Sequence, residues 1–319
     1  MSSYRFCRTD DIGLLVDALN RCWAPYFPGE PPATAASFKR SIRDLQVWCS
    51  SCMVAFSGSD PIGVLIGAKR PSGTLVHKIA VHPDHLRQGH GRHLLASLGS
   101  KLAILGPPRI VAEVPETLAP ARELFSASGY VQEAVLTDYV LPFDSRASAA
   151  LAQGEERFPH EGGLVIPVTV DDLAANGLLG EAPPSPSASA GQVDRQVCWE
   201  RSVETLTARK DDIVGLAVAS DERIEAYLLY VTRGMDPPAF APSRERELRR
   251  ETEIVSLRSL IDDAGVRLKL LLSQLRAPGM ETLRFPKVHP AEISTEWMEA
   301  LGFSPAGGHL LYAARAQSA

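Results

Sequence analysis

The chain has 319 residues, more than twice the size of a common domain, so two domains are expected. Its 45% of hydrophobic and 22% of charged residues are typical of a folded protein and exclude a mostly disordered, collagen-like or coiled-coil chain. The formal net charge of -5 argues against nucleic acid or an anionic membrane as a partner bound through bulk positive charge.

Targeting signals are not evident in the sequence. No apolar run reaches the roughly 18 residues of a membrane-spanning helix, and the N-terminal residues lack the apolar core of a secretory signal. The 5 cysteines are too few for a disulfide scaffold in a chain of this length. These features predict a cytoplasmic protein in a reducing compartment.

The first half of the chain alternates between predicted strands and helices, which indicates a mixed α/β fold. The predicted elements are a strand at 4–8, a helix from 9 or 10 to about 23, a helix at 34–46, strands at 53–57, 62–69 and 74–81, a helix at 90–105, a strand at 109–114, a helix at 119–127 and two strands that end at 141.

The second half repeats this order more faintly, which predicts a duplicated domain. Its predicted elements are a strand at 164–170, a helix at 193–206, strands at 213–219, 224–231 and 253–261, a helix at 266–275, a strand at 283–288, a helix at 295–300 and a strand at 310–314. We therefore predict one domain over residues 1–142, a linker over 143–163 and a second domain over 164–319. Within the second domain, the Pro/Ser-rich stretch 181–192 is predicted to be a flexible loop.

One segment carries the strongest chemical signal. A predicted strand ends at Val81, a proline-led turn follows, and Gly89-His90-Gly91 opens a helix. Glycines allow close approach of the backbone, and the amides and dipole of a helix N-terminus favour an anion. Arg87 and Arg92 add positive charge. Taken alone, such a segment is more often a tight strand-to-helix turn than a binding site.

Two motifs in the first half resemble those of the GCN5-related N-acetyltransferase (GNAT) superfamily. The segment from Ile79 through Pro83 to Gly91 resembles the family's motif A, although Leu86 stands where the family usually has Arg or Gln. Residues 121–130 resemble the second motif. There Leu118 replaces the usual Asn, and Phe125 replaces the Tyr that often acts as general acid.

The resemblance implies a fold of two GNAT-like domains, each a mixed, mostly antiparallel twisted sheet flanked by helices. It also implies acetyl-CoA as co-substrate, with a primary amine that attacks the thioester directly in a ternary complex. The residues that would hold acetyl-CoA are Ile79, Ala80, Val81, Arg87, Gln88, Gly89, His90, Gly91 and Arg92. Because Phe125 cannot donate a proton, either another group serves or the thiolate leaves unaided.

The catalytic candidates are His77 and Tyr139. His77 takes the place of a glutamate that many family members have on the fourth strand, and an ordinary histidine pKa near 6.5 suits a general base. The alternative is an ordinary strand histidine that faces solvent or a core hydroxyl. Tyr139, with Asp138 beside it, lies on the last predicted strand of the first half and would line the acceptor side. For each of the two residues alone, a solvated strand end is the commoner explanation.

The acceptor pocket is expected in the aromatic loop between the first two helices. Its candidate substrate-binding residues are Trp23, Tyr26, Phe27 and Glu30, since that region usually shapes the acceptor pocket in this family. A rigid aromatic loop suits a small or flat acceptor, and Glu30 suits a cationic amine. Trp23 is equally well explained as a core residue.

A metal site is not expected. Five of the 8 histidines lie between His77 and His93, a density that invites a zinc interpretation. However, no carboxylate or cysteine completes a convincing ligand set, and the anion-binding segment already explains these residues.

The second domain is predicted to be degenerate. Its equivalent turn carries Asp262 and Asp263 where a pyrophosphate would sit, and like charges repel. Residues 297–303 still resemble the family's closing helix followed by Gly and an aromatic residue. Such a domain would complete the acceptor pocket or an oligomer, and a homodimer is one arrangement the sequence leaves open.

We expect acetyl transfer to a primary amine of a small molecule. Two alternatives remain at this point: acetylation of a protein or peptide amine, and a non-catalytic acyl-CoA sensor or interaction module. Leu86, Leu118 and Phe125 favour the sensor, whereas His77 and the intact glycine pair favour the enzyme.

Overall fold

The computed structural model describes residues 2–142, 164–179, 198–234, 250–275 and 280–316. Strands and helices alternate in the mixed α/β order that the sequence predicts. The predicted linker at 143–163 and the predicted loop at 181–192 lie outside the described residues.

The elements of the first half are as follows. They are β1 Ser2–Phe6, α1 Ile12–Cys22, α2 Ala35–Leu45, β2 Met53–Ser57, β3 Asp60–Arg70, β4 Gly73–Val81, α3 His90–Leu105, β5 Arg109–Pro115, α4 Ala119–Ala127 and β6 Val131–Pro142. Short 3-10 turns at Ala24–Tyr26, Cys49–Ser51 and Pro83–His85 connect some of them.

The elements of the second half repeat the same order. They are β7 Leu164–Val168, α5 Val170–Ala175, α6 Val203–Ala208, β8 Val214–Ala219, β9 Ile224–Gly234, β10 Arg250–Ser259, α7 Val266–Gln274, β11 Met280–Val288, α8 Thr295–Ala300 and β12 Ser304–Arg315.

The chain forms two compact units, and each unit contains most of the strand that ends the other half of the sequence. Unit 1 consists of Met1–Val135 and His309–Ala319, and unit 2 consists of Leu136–Gly308. The boundaries therefore fall inside β6 and inside β12. The last strand of the chain completes the sheet of unit 1, while most of β6 belongs to unit 2.

The sheet of unit 1 has the order β1-β2-β3-β4-β5-β12. Its neighbours are antiparallel apart from the parallel pair β4–β5. Helix α3 buries Leu94, Leu98 and Leu102 at helical spacing against Ile110 and Ala112 of β5. This core sits directly beneath the segment that carries the glycine pair.

The sheet of unit 2 has the order β6-β11-β10-β9-β8-β7, again with one parallel pair, β10–β11. Helix α7 buries Leu268, Leu271 and Leu272 against Leu283 and Phe285 of β11. The two units thus repeat one plan, as the sequence predicts.

Most element boundaries lie within three residues of the sequence prediction, and four larger differences occur. Strand β12 begins at Ser304, six residues before its predicted start. The region 131–142 is one strand where two were predicted, because no Gly, Pro or Asn interrupts it before Pro142. Helix α5 was missed, although Thr169 caps it by accepting a hydrogen bond from Asp172 N at 3.1 Å. The helix predicted to begin at 193 begins at Val203 within the described residues.

No helix in the described part of the chain is both long enough and apolar enough to span a bilayer.

Candidate active site

Strands β4 and β5 part from each other soon after they begin. Among the described residues, their parallel ladder consists of Thr74 paired with Ile110 and Leu75 paired with Val111. Both strands continue beyond this point, β4 to Val81 and β5 to Pro115. We refer to the opening between them beyond Leu75 and Val111 as the β4–β5 gap. It offers the backbone edges of two strands to an extended ligand.

His77 lies at the start of this gap, on a β-bulge. Lys78 pairs with Ile66 and Val76 pairs with Gly67, so His77 is the extra residue of the bulge on β4. Its side chain is half-buried. The bulge redirects the strand where the two strands separate, and the predicted base therefore stands at the mouth of the gap.

The register of β4 turns alternate backbone groups towards the gap. His82 N donates to Ile62 O of the β3 side at 2.9 Å. Because antiparallel ladders alternate, the amide and carbonyl of Ala80 also face β3, while those of Ile79 and Val81 face the gap. The backbone groups of Ile79 and Val81 are therefore directed towards the gap, where a pantetheine arm is predicted to pair with them.

The anion loop, residues 87–92, has the backbone conformation that its glycine pair predicts. Arg87 and Gly89 adopt left-handed φ angles of 62° and 85°. The first backbone hydrogen bond of α3 runs from His93 N to Gly89 O at 3.0 Å. The backbone N–H groups that come before His93 at this helix end therefore have no acceptor within the helix. A Cβ placed on Gly89 would meet no atom within 4 Å. The amides therefore border open space at a positive helix end.

The second glycine has a packing role. A Cβ on Gly91 would lie 3.1 Å from Cδ2 of Leu124 on α4. Gly91 thus allows α3 and α4 to approach closely, while Gly89 keeps the anion loop open. The side chains of Arg87, Gln88 and Arg92 are exposed. The Arg87 guanidinium lies 4.0 Å from the carboxylate of Glu123.

His90 turns its ring into the core and not towards the loop. It is 5% exposed, and its Nδ1 lies 2.6 Å from the hydroxyl of Tyr4. Its Nε2 has no hydrogen-bond partner among the described residues. Burial, and next the neighbouring His85 and His93, lower the pKa of His90. Its ring is therefore a core group, and only its backbone remains available to the anion loop.

The aromatic loop at 23–32 is attached to β4. The Tyr26 hydroxyl donates to the carbonyl of Val81 at 2.6 Å, on the edge that faces the gap. The ring of Trp23 stacks on Phe27 with a centroid separation of 4.3 Å, and its Nε1 donates to Glu30 at 3.0 Å. The structure thus brings the four predicted acceptor residues together.

Lys78 is a member of this cluster that the sequence analysis missed. Its Nζ donates to Oε2 of Glu30 at 3.2 Å and lies 4.4 Å above the ring of Trp23. The carboxylate predicted to bind a cationic amine therefore already has a cationic partner within the chain. In the sequence, the signal for Lys78 is its position next to His77 on the predicted strand.

Tyr139 lies in the core of unit 2. It is 3% exposed, pairs with Phe285 of β11, and its hydroxyl donates to Oγ1 of Thr295 at 3.2 Å. His77 and the anion loop belong to unit 1. The corresponding strand in unit 1 is β12, whose Tyr312 pairs with Ala112 of β5. The sequence analysis did not single out Tyr312.

Unit 2 retains the strand geometry of this site. The ladder between β10 and β11 ends with Glu253 paired with Arg284. A bulge follows on β10 between Ile254 and Ser256. Helix α7 begins after Gly265, which has a left-handed φ of 77° like that of Gly89. The backbone plan is therefore common to both units.

The corresponding loop of unit 2 is closed by its own side chains. Gly265 N and Arg267 N donate to the carboxylate of Asp263 at 3.0 and 2.9 Å. A Cβ on Gly265 would lie 3.3 Å from Leu301, whereas one on Gly89 meets nothing. The carboxylate of Asp263 accordingly takes the amides that an external anion would need.

No group of three or more His, Cys, Asp or Glu side chains within the described ranges is arranged to hold a metal ion. The histidines around the anion loop contact each other and Tyr4 through their rings, with His82 and His85 centroids 6.1 Å apart.

Comparison with known proteins finds a family match within the first half of the chain. The model of the acetyltransferase (GNAT) family matches residues 15–130, which include β4, the anion loop and α4. None of the curated proteins compared with the chain matches it.

Solved structures resemble the whole chain. A tandem GNAT protein from the clavulanic acid biosynthesis pathway has a TM-score of 0.62 and 18% identity, covering 100% of both chains. A GCN5-related N-acetyltransferase from Anabaena variabilis has a TM-score of 0.64 and 11% identity, covering 99% of this chain and 73% of that one. One from Sphaerobacter thermophilus has a TM-score of 0.58 and 12% identity over 99% and 96%.

At these identities the structural likeness concerns the fold alone, and it extends over both units. The family match is a match in sequence, and the residues that it covers include the gap, the bulge and the anion loop. Residues 15–130 therefore match the acetyltransferase (GNAT) family, and the fold of the chain resembles that of tandem GNAT proteins.

Proposed function

We propose that the protein transfers an acetyl group from acetyl-CoA to a primary amine of a small molecule, by direct attack in a ternary complex. Acyl-CoA-dependent N-acetyl transfer is the general activity of the family. The observation that carries the proposal is that three features follow one another along β4 and the loop after it. They are the bulge at His77, the β4–β5 gap and the open anion loop. These supply a base, a channel and an anion site in sequence.

The residues of unit 1 fit the co-substrate. The amides of residues 87–92, with the exposed Arg87 and Arg92, suit its pyrophosphate. The backbone groups of Ile79 and Val81 that face the gap suit the amides of its pantetheine arm. The Val81 carbonyl already accepts a hydrogen bond from the Tyr26 hydroxyl, so the arm would share this acceptor. When bound there, acetyl-CoA supplies an activated acetyl thioester.

The chain's own groups would then carry the reaction. An amine must be neutral to attack, and His77 accepts the proton that the amine loses. A backbone N–H of the β4 bulge stabilises the negative charge that develops on the carbonyl oxygen. The aromatic loop fixes the amine in position, so that attack becomes effectively intramolecular.

The acceptor binds beside the aromatic loop in this proposal. The Glu30 carboxylate already binds Lys78, so a cationic acceptor group must displace or share that lysine. The stacked rings of Trp23 and Phe27 favour a small or flat molecule over a wide peptide groove. Tyr139 remains a predicted catalytic residue; in the structure it is buried in unit 2, where its hydroxyl donates to Thr295.

Unit 2 is proposed to bind no acetyl-CoA. The supporting observation is the Asp263 carboxylate, which occupies the amides of Gly265 and Arg267. An external pyrophosphate would have to replace an internal anion and would be repelled by it.

A second candidate function is a CoA-binding sensor without turnover. It is favoured by Phe125, which is 2% exposed and has no group to donate a proton. Both candidates require binding of acetyl-CoA, and they differ in whether the thioester is consumed.

The test is release of free CoA from acetyl-CoA in the presence of a panel of small primary amines and short peptides. We expect release with a small amine, and roughly a hundredfold lower kcat for His77→Ala with unchanged affinity for acetyl-CoA. Binding without release for every acceptor would support the sensor, and preference for peptides would support a peptide acetyltransferase.

A further inference from the structure

We propose that Tyr312, on the last strand of the chain, donates the proton that the leaving CoA sulfur takes up. This inference rests on the proposed function. It assigns the general acid to a residue nearly two hundred positions away from Phe125, which stands where the family usually has a tyrosine.

Strand β12 places Tyr312 level with the mouth of the gap. The last pair between β4 and β5 is Leu75 with Val111. The next residue of β5 is Ala112, and Tyr312 is its antiparallel partner on β12. Tyr312 therefore lies one strand away from the point at which β4 and β5 separate, across β5, and at the height where the β4 bulge with His77 begins.

Tyr312 lies on the face of the sheet that α3 and α4 cover. Its partner Ala112 is buried in the same core as Phe125 and Leu94. The rings of Tyr312 and Phe125 are stacked, with centroids 5.8 Å apart and planes inclined by 18°. A tyrosine thus lies against the ring that cannot donate a proton.

Tyr130 is the other tyrosine on Phe125, and it is the poorer candidate. Its ring stands edge-on to Phe125 at 5.1 Å. Its hydroxyl is fully shielded and has no hydrogen-bond partner among the described residues. Tyr312 is also buried, with 4% of its surface exposed against 7% for Tyr130, but its ring is stacked on Phe125 and its strand position is level with the mouth of the gap. Burial also raises the pKa of Tyr130 strongly, although a shielded group lies away from any ligand cavity regardless of its pKa.

Unit 2 repeats the same placement. Its ladder between β10 and β11 ends with Glu253 and Arg284, and the next residue of β11 is Phe285. The partner of Phe285 on β6 is Tyr139. Each exchanged strand therefore carries a tyrosine at the equivalent register. In unit 2, where the loop is closed by Asp263, the tyrosine hydroxyl binds Thr295.

The proposed step is balanced in atoms and electrons. A bond forms between the amine nitrogen and the carbonyl carbon, the carbon–sulfur bond breaks, and its electron pair goes to sulfur. The amine proton passes to His77, and the Tyr312 hydroxyl proton passes to sulfur. Water returns a proton to Tyr312, and His77 releases its proton to water once the products have left.

The decisive measurement uses free CoA and requires no acceptor. Thiolate formation by bound CoA is followed by its ultraviolet absorbance as a function of pH. A hydroxyl that donates to the sulfur stabilises the thiolate, so Tyr312→Phe should move the midpoint upward by about one to two pH units. Tyr130→Phe is the matched control and should leave the midpoint of the native protein unchanged.

Turnover gives the second readout. With any amine that the native chain accepts, Tyr312→Phe should lower kcat by roughly a hundredfold and leave the affinity for acetyl-CoA unchanged. Adding Phe125→Tyr to that variant should restore much of the lost rate, since the new hydroxyl lies against the same site.

The proposal is overturned if Tyr312→Phe keeps the native midpoint and rate. It is also overturned if that variant loses acetyl-CoA affinity in parallel with rate or fails to fold, because the ring that packs on Phe125 is retained and only the hydroxyl is removed. A native chain that binds neither CoA nor acetyl-CoA contradicts the proposed function itself.

Discussion

At the scale of single residues, neighbouring positions on β4 have different tasks. His77 stands on the bulge at the mouth of the gap, while Lys78 reaches back to Glu30 and covers Trp23. An exposed ion pair of this kind contributes little stability, on the order of 1 kcal/mol or less. Its effect is therefore on the charge of the acceptor site: the net charge offered to an acceptor by Glu30 and Lys78 together is near zero.

His90 gives the fold a dependence on pH that can be measured. Burial lowers the pKa of His90 below its ordinary value of 6.5, so the unfolded chain binds this proton more readily than the folded chain. Protonation thus favours unfolding, and stability should fall as the pH drops below about 6.5 and level off above it.

Thermal melting tests this at about pH 7.5 and about pH 5.5. We expect a larger fall in melting temperature for the native chain than for His90→Leu, which keeps an apolar side chain in the core. The matched variant His93→Leu removes an exposed neighbour that lowers the pKa of His90 less than burial and His85 do, so it should retain most of the native fall. Equal falls in the native chain and His90→Leu would contradict this role for His90.

At the scale of elements, α3 contains two glycines that differ in their surroundings. A Cβ on Gly91 lies 3.1 Å from Leu124, whereas one on Gly99 meets nothing within 4 Å. Gly99→Ala should therefore stabilise the fold by roughly 0.5–1 kcal/mol through helix propensity. Gly91→Ala should lose most or all of that gain, because α4 must shift.

Urea unfolding of the two variants measures the difference in the free energy of unfolding. We expect the free energies of unfolding of the two variants to differ by about 1 kcal/mol. This difference should shrink when Leu124→Ala removes the crowded side chain. Equal stabilisation by both substitutions would show that α4 shifts without cost in free energy and that Gly91 has no packing role.

Local signals allowed α3 and α4 to be predicted to the residue. The glycine pair marks the start of α3, and Gly129, with a left-handed φ of 80°, marks the end of α4. The same signals placed residues 87–92 in the anion loop. They also placed Trp23 and Glu30 in one loop, but not their contacts with Lys78, because side-chain pairing across elements leaves no periodic pattern in the sequence.

The exchange of β6 and β12 could not be predicted in this way. Both strands follow a helix that ends in glycine and an aromatic residue, Gly129-Tyr130 and Gly302-Phe303, so their local patterns are interchangeable. Which sheet each strand joins is decided by long-range packing. This is why Tyr312 is not among the residues predicted from the sequence.

At the scale of the whole molecule, the exchange makes unit 1 depend on the end of the chain. Residues 309–315 pair with β5, and Leu310 and Tyr312 enter the core of unit 1. A chain truncated after Gly308 should lose the protection of unit 1 amides against hydrogen exchange and lose acetyl-CoA binding. Truncation after Ala316, which leaves β12 intact, should change neither. A unit 1 that remains folded without β12 would contradict this dependence.

The account as a whole depends on an anion site at the start of α3, and a calorimetric titration with acetyl-CoA tests it most directly. We predict that the native chain binds one acetyl-CoA per chain, since Asp263 closes the second loop, and that Gly89→Glu abolishes binding. Gly58→Glu, at a left-handed φ of 61° in the β2–β3 turn, imposes similar strain elsewhere and should bind like the native chain. Absence of binding by the native chain, or native affinity in Gly89→Glu, would contradict the account.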